Sequence, residues 1–237
     1  MPLDRRGAEP GSGRVPHVFV ADLERPQLDA EDHHHLTMVL RLRVGDELTI
    51  GDGRGAWRNC RLASDAPEPV GPITEVPRPR PDLTVAFALV KGQRPELVVQ
   101  KLTELGVDVI VPFVAQRSVV RWDPERAAAA GGRLNRVARE AAMQSRRSWL
   151  PEVATLASFA EVASLPGAAR AERGGRPPTL ANPTILIGPE GGWADVERTG
   201  HVPEVALGPT VLRAETAAIA AGAVLAGLRA GLWVAPS

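Results

Sequence analysis

The chain is poor in the residues that most often announce a chemistry. Cys60 is its single cysteine, which excludes an internal disulfide and any multi-cysteine zinc site and fits a reducing cytoplasm. Lys91 and Lys101 are its only lysines, so arginine supplies the remaining positive charge. Lys plus Arg and Asp plus Glu each total 28, and any nucleic-acid surface must therefore be local rather than global. No apolar run reaches the roughly 18 residues that suggest a membrane span, and the apolar C-terminal stretch is broken by Gly222, Gly227 and Arg229. No secretory leader pattern is present, and a soluble cytoplasmic protein is expected.

Familiar catalytic signatures are missing too. No GxGxxG follows a strand-like run, no GxxxxGK[ST] marks a phosphate loop, and no GxSxG elbow occurs. His33, His34 and His35 are consecutive, so on a helix they point about 100° apart and cannot all ligate one metal. No metal site is expected.

What is present is a change of rhythm along the chain. Residues 1–13 form a polar Gly/Pro-rich stretch that reads as a disordered tail. From 14 to 76 short β-like pieces separated by glycine turns predict a small barrel, with one helix over Ala30–Leu42 capped by Asp29 or Asp32. The linker at 77–81, with Pro77, Pro79 and Pro81, cannot continue a strand or helix and reads as a domain boundary. Over 82–237 the elements lengthen and alternate. A strand over Leu83–Val90, a helix over Arg94–Leu105, a strand over Val107–Val114 and a helix opening at Asp123-Pro124 imply an α/β domain with a mostly parallel sheet. Residues 164–182 carry no clear period and read as a surface loop.

Two stretches point to a site. TILIGPEGGW (184–193) and VALGPTVLRAETA (205–217) each run from a short apolar segment into Gly-Pro, the pattern of a buried strand ending in a turn that leaves backbone groups open. Two such turns on neighbouring strands would form one pocket rich in backbone donors and acceptors. A further stretch, 117–147, is basic. Between Arg117 and Arg147 eight arginines stand against Asp123, Glu125 and Glu140, a plausible phosphate-contacting surface or an ordinary solvated face.

RVPHVFV, HHHLTMVLRLRVGDEL, VKGQRPELVVQKLTELGVDVIVPFVAQRSVVRW, the segment from Gln144 to Glu152, IGPEGGW and LGPTVLRAETAA, in that order and spacing, resemble the RsmE family of 16S ribosomal RNA uracil-N3 methyltransferases, members of the SPOUT class. The resemblance implies a PUA-like or OB-like RNA-binding barrel followed by a SPOUT domain whose C-terminal segment threads a trefoil knot. It also implies S-adenosyl-L-methionine as cofactor, 16S rRNA within the small subunit as partner, and a homodimer. The cofactor turns map onto Ile187, Gly188, Pro189, Glu190, Gly191 and Gly192, and onto Leu207, Gly208, Val211, Leu212, Thr216 and Ala217. In that frame Arg213 is the candidate for stabilising charge on a uracil oxygen, and Gln144 or Arg147 for orienting the base. Glu215 is a candidate proton acceptor or a partner for Arg213. RNA contact falls to Arg14, His17, Arg41, Lys91, Arg117, Arg136 and Arg139. The chain departs from the family at Thr210, where a basic residue is usual, at Met143–Trp149, and between Ser164 and Asn182, where an expected strand has no clear counterpart. Two other readings stay open: a SPOUT ribose 2′-O-methyltransferase on tRNA or rRNA, and a catalytically silent assembly factor.

Overall fold

The computed structural model describes residues 10, 15–64, 66–92, 94–199 and 202–234. Arg14 and, apart from residue 10, the expected tail at 1–13 lie outside the described residues. The chain divides into two compact units: Met1–Arg78 with Ala142–Leu150, and Pro79–Ala141 with Pro151–Ser237. The first unit thus runs to Arg78 and resumes over 142–150.

In the first unit, β1 (His17–Phe19), β2 (Glu47–Gly51), β3 (Ala56–Leu62) and β4 (Pro67–Pro69) pair in that order, with β5 (Thr74–Glu75) also beside β3. The β2–β3 turn is fixed by Asp52, whose Oδ1 accepts from the amides of Arg54 and Ala56 at 2.7 and 3.0 Å. Val18, Leu36, Leu48, Ile50, Cys60 and Leu62 form the core, with Met143 packed against it. Helix α1 covers Ala30–His34, and Asp29 is its cap, accepting from the Asp32 amide at 2.7 Å. The helix expected to run on to Leu42 instead widens into a π-helical turn over His35–Val39. The chain then leaves it at Arg41, which adopts φ 58°. The segment 142–150 is held by Leu150 N donating to Gly53 O at 2.9 Å, Gly55 N to Ser148 O at 2.9 Å, and Trp149 Nε1 to Val76 O at 2.9 Å.

The second unit is an all-parallel sheet. In chain order its strands are β6 (Thr84–Ala88), β7 (Val109–Val114), β8 (Glu152–Val153), β9 (Ala157–Ser158), β10 (Ala168–Arg176), β11 (Thr184–Ile187) and β12 (Glu204–Val205). They lie in the order β12-β10-β11-β6-β7-β8, with β9 also on β7. Its helices are α2 (Arg94–Glu104), α3 (Pro124–Gln144, of which residues 142–144 belong to the first unit), α4 (Phe159–Ala163), α5 (Asp195–Arg198) and α6 (Ala214–Arg229). Leu83, Val85, Phe87, Ile110, Ile185 and Ile187 meet Val98 and Leu102 of α2, Leu134 and Ala138 of α3, and Ala218, Ala221 and Leu225 of α6 in one core. The far end of α6 is anchored by Arg229, which donates to Gly106 O at 2.7 Å and pairs with the buried Asp108 carboxylate, itself an acceptor for Leu83 N at 2.8 Å.

β10 corrects the expectation of a loop over 164–182. The strand was hidden because its buried half is Ala168, Ala169 and Arg170, two small residues and a charge. Burial of Arg170 is offset by an ion pair with Glu204, a 2.6 Å hydrogen bond to the Glu197 carbonyl, and the Trp193 ring 5.8 Å from its guanidinium carbon. The strand expected by resemblance before IGPEGGW is therefore present.

Candidate functional site

Strand β11 ends at Ile187 and the chain enters the first Gly-Pro turn. Gly188 has no room for a side chain, because a Cβ there would stand 2.8 Å from the Trp193 indole. The turn closes through Gly192 N donating to Pro189 O at 2.8 Å, with Gly192 at φ 70°. Trp193 is the pin beneath it. Its ring stacks on Phe113 at 6.2 Å and meets Phe159 at 5.6 Å, while Nε1 donates to Ala171 O at 3.0 Å. Beyond it the buried Glu197 carboxylate accepts from the amides of Gln116 and Ala194, both at 2.8 Å.

A second wall comes from β10. Val205 of β12 pairs with both Ala171 and Arg176, so residues 172–175 bulge out of the ladder. A Cβ on Gly175 would lie 2.7 Å from the backbone of Glu204 and Val205, which ties the bulge closely to β12. Glu172 and Arg173 thereby face the same cleft as the first turn, and Glu172 pairs with Arg198 at 2.9 Å. The third wall is the segment from Leu207 to Arg213, which leads into α6 with Arg213 at the N-cap.

These walls enclose a cleft of about 740 Å³. Of the residues expected to bind the cofactor, Ile187, Gly188, Pro189, Glu190, Gly192, Leu207, Gly208, Val211, Leu212 and Ala217 line it, together with Arg213. Gly191 and Thr216 sit in the same segments without lining it. Arg94, Ala171, Glu172, Arg173, Trp193 and Ala214 also line it and were not named from sequence as cofactor contacts, and Thr210, noted only as a departure from the family, lines it too. Most of these had no readable signal, being small residues or members of a strand without a period. Trp193 was legible as the residue that ends IGPEGGW, and Arg94 as the residue that opens α2.

Glu215 does not pair with Arg213. Its Oε1 lies 3.6 Å from Nε of Arg94, whose Nη1 lies 2.7 Å from Glu190 Oε1. Gln144 and Arg147 belong to the first unit, not to the unit that carries the cleft.

The residues expected to touch RNA are spread more widely. Arg117 is exposed beside the first turn, with Nη1 3.5 Å from Gly191 O. Lys91 and Arg136 are exposed and Arg139 is half-buried on α3, while Arg41 is exposed in the first unit. Arg133 of the basic helix is not available as a free charge, because its Nε lies 2.6 Å from Glu96. His17 is a correction. Its ring is buried, with Nδ1 2.9 Å from Thr49 Oγ1 and the Phe19 ring edge-on at 5.0 Å, so it offers RNA no surface. Burial, with a smaller contribution from the Arg146 charge, lowers its pKa from 6.5 to about 4. Among the described residues no group of three or more His, Cys, Asp or Glu could hold a metal ion, and no helix is long and apolar enough to cross a membrane.

The RNA methyltransferase domain family matches residues 77–226, and the RNA methyltransferase PUA domain family matches residues 28–69. "Ribosomal RNA small subunit methyltransferase E" of Mycobacterium bovis is 34% identical over 223 residues, covering 83% of this chain and 84% of the relative. The protein of the same name from Bacillus subtilis is 32% identical over 217 residues, covering 80% and 85%. Among solved structures, the ribosomal RNA small subunit methyltransferase E of Neisseria gonorrhoeae bound to S-adenosyl methionine superimposes with a TM-score of 0.76 at 27% identity, covering 91% of this chain and 98% of that one.

Proposed function

Because the chain belongs to the RNA methyltransferase family whose domain covers residues 77–226, we propose that it methylates N3 of a uridine in 16S ribosomal RNA with S-adenosyl-L-methionine as donor. The observation that carries this reading is the convergence of the two Gly-Pro turns and the β10 bulge on one cleft. Its volume of about 740 Å³ falls within the range of roughly 300–1,000 Å³ common for small-molecule sites. Its donor set also fits. Ile187, Leu207, Leu212 and Ala217 offer apolar contact, the turn backbones offer hydrogen bonds, and charges of both signs suit a zwitterionic amino-acid end.

When bound, S-adenosyl-L-methionine supplies a methyl group on a positively charged sulfur. The rest falls to the chain. Uracil N3 bears a proton at neutral pH and becomes a good nucleophile as that proton leaves, so the site has to favour negative charge on the base. Arg213 lines the cleft and has a guanidinium to place against a uracil oxygen as charge develops there. The Arg94 pairing leaves Glu215 a structural carboxylate that fixes the start of α6. Gln144 and Arg147 remain in this reading as groups that orient the RNA. Lys91, Arg117, Arg136 and Arg139 supply phosphate contacts, and Arg41 supplies one from the first unit.

We place the protein in the cytoplasm as a homodimer with the SPOUT trefoil knot. Support for the knot is the chain path: β12 closes one edge of the sheet, and α6 then returns to pack with α2 over β6 and β11. Support for a partner copy is the exposure of Val119, Val196 and Val211, large apolar residues in segments beside the turns. The test is methylation of 30S subunits from a strain lacking the corresponding enzyme, followed by mapping of the modified nucleotide. A single N3-methyluridine in 16S rRNA is expected. A ribose 2′-O-methyl product, or no product with donor bound, would overturn the reading.

A further inference from the structure

The two cleft turns arise from distant parts of the sequence, and one side chain joins them. Arg94, the first residue of α2, reaches Glu190 in the first turn at 2.7 Å and Glu215 in the first turn of α6 at 3.6 Å. Glu215 lies two residues beyond Arg213. Its side chain is 14% exposed, and its second oxygen, Oε2, is buried without a hydrogen-bond partner. A carboxylate so placed has lost most of its hydration, and the guanidinium of Arg94 is the positive group the structure sets beside it.

We infer that Arg94 is a positioning residue that clasps Glu190 to Glu215 and thereby holds the two turns at the spacing the methyl donor requires. The inference rests on the reading that the cleft takes S-adenosyl-L-methionine. Removing the guanidinium leaves two carboxylates converging on one space with nothing between them, and their repulsion drives the turns apart. The Arg94–Glu190 link itself contributes little to fold stability, because both side chains are substantially exposed. Donor affinity depends on it because an unclasped site must be organised at the moment of binding.

The experiment is calorimetric titration of S-adenosyl-L-methionine into the full chain and its variants. Arg94→Met is expected to weaken binding about tenfold while the chain stays folded at the temperature of the titration. Arg94→Lys is expected to recover most of the affinity. In a Glu190→Gln/Glu215→Gln background, Arg94→Met is expected to cost little more, since no repulsion remains to be relieved. If Arg94→Met does not fold, Glu190→Gln cuts the same link at its exposed end and is expected to weaken binding in the same direction. Affinity within twofold of wild type for the Arg94 or the Glu190 variant overturns the clasp. So does a loss that persists undiminished in the double-Gln background, which would mean that Arg94 touches the donor itself. A wild-type chain that takes up no donor would overturn the donor reading and the clasp with it.

Discussion

Gly188→Ala adds one methyl group at a crowded point of the site. The new Cβ would stand 2.8 Å from Cε2 of Trp193 and 3.1 Å from Cδ2 and Cζ2, closer than such contacts normally fall. The indole has little room to yield. It is 3% exposed, stacked on Phe113, tilted against Phe159, and hydrogen-bonded through Nε1 to Ala171 O. Overpacking of this kind costs about 1–3 kcal/mol. Displacing Trp193 also weakens its bond to Ala171, the residue from which the β10 bulge springs, so one methyl disturbs two walls of the cleft. Gly191→Ala is the matched control, because its Cβ would meet Arg117 at an ordinary 3.5 Å and the residue does not line the cleft. Urea unfolding of both variants beside wild type, with calorimetric titration of S-adenosyl-L-methionine, separates the two positions. We expect Gly188→Ala to lose about 1–3 kcal/mol and to bind the donor more weakly, with Gly191→Ala within about 0.5 kcal/mol of wild type. Equal behaviour of the two variants would refute the claim that Trp193 sets the shape of the first turn.

Arg213→Ala is expected to lower the single-turnover rate by about 2–4 kcal/mol while changing donor affinity little, as for loss of an oxyanion-type donor. A rate within about twofold of wild type would remove Arg213 from the chemistry. His17 makes stability depend on pH. Its pKa is about 4 when folded against 6.5 for the ordinary side chain, so the unfolded chain takes up the proton first. The contribution is full above about pH 6.5, declines as the pH falls towards 4, and is flat below that, with a total on the order of 3 kcal/mol. Denaturation midpoints of wild type and His17→Gln between pH 7.5 and 4 measure the difference, and parallel curves would contradict it.

How much could be read from the sequence depended on whether one strong local rule governed a segment. Helix α2 begins at Arg94 with Pro95 in its first turn, and Pro124 opens α3, as their local signals required. Both Gly-Pro turns were legible because glycine and proline speak for the backbone directly. Elements decided by tertiary partners were not. The buried half of β10 reads Ala-Ala-Arg, and only Glu197, Glu204 and Trp193, all distant in sequence, make a buried Arg170 tolerable. His17 was assigned to RNA contact by resemblance, yet its ring is taken inside, against Thr49 of the neighbouring β2 and Phe19 of its own strand. Glu215 has Arg213 as its near neighbour in sequence, but α2 brings Arg94 closer in space. The membership of 142–150 in the first unit rests on hydrogen bonds to Gly53, Gly55 and Val76, which no local pattern announces.

The account turns on the two turns and the bulge being walls of one donor site. A crystal structure of the protein with S-adenosyl-L-methionine tests this most directly. The account predicts the donor between residues 187–192 and 207–213, with Arg213 at the open side and Arg94 still bridging Glu190 and Glu215. Electron density for the donor anywhere else would contradict it.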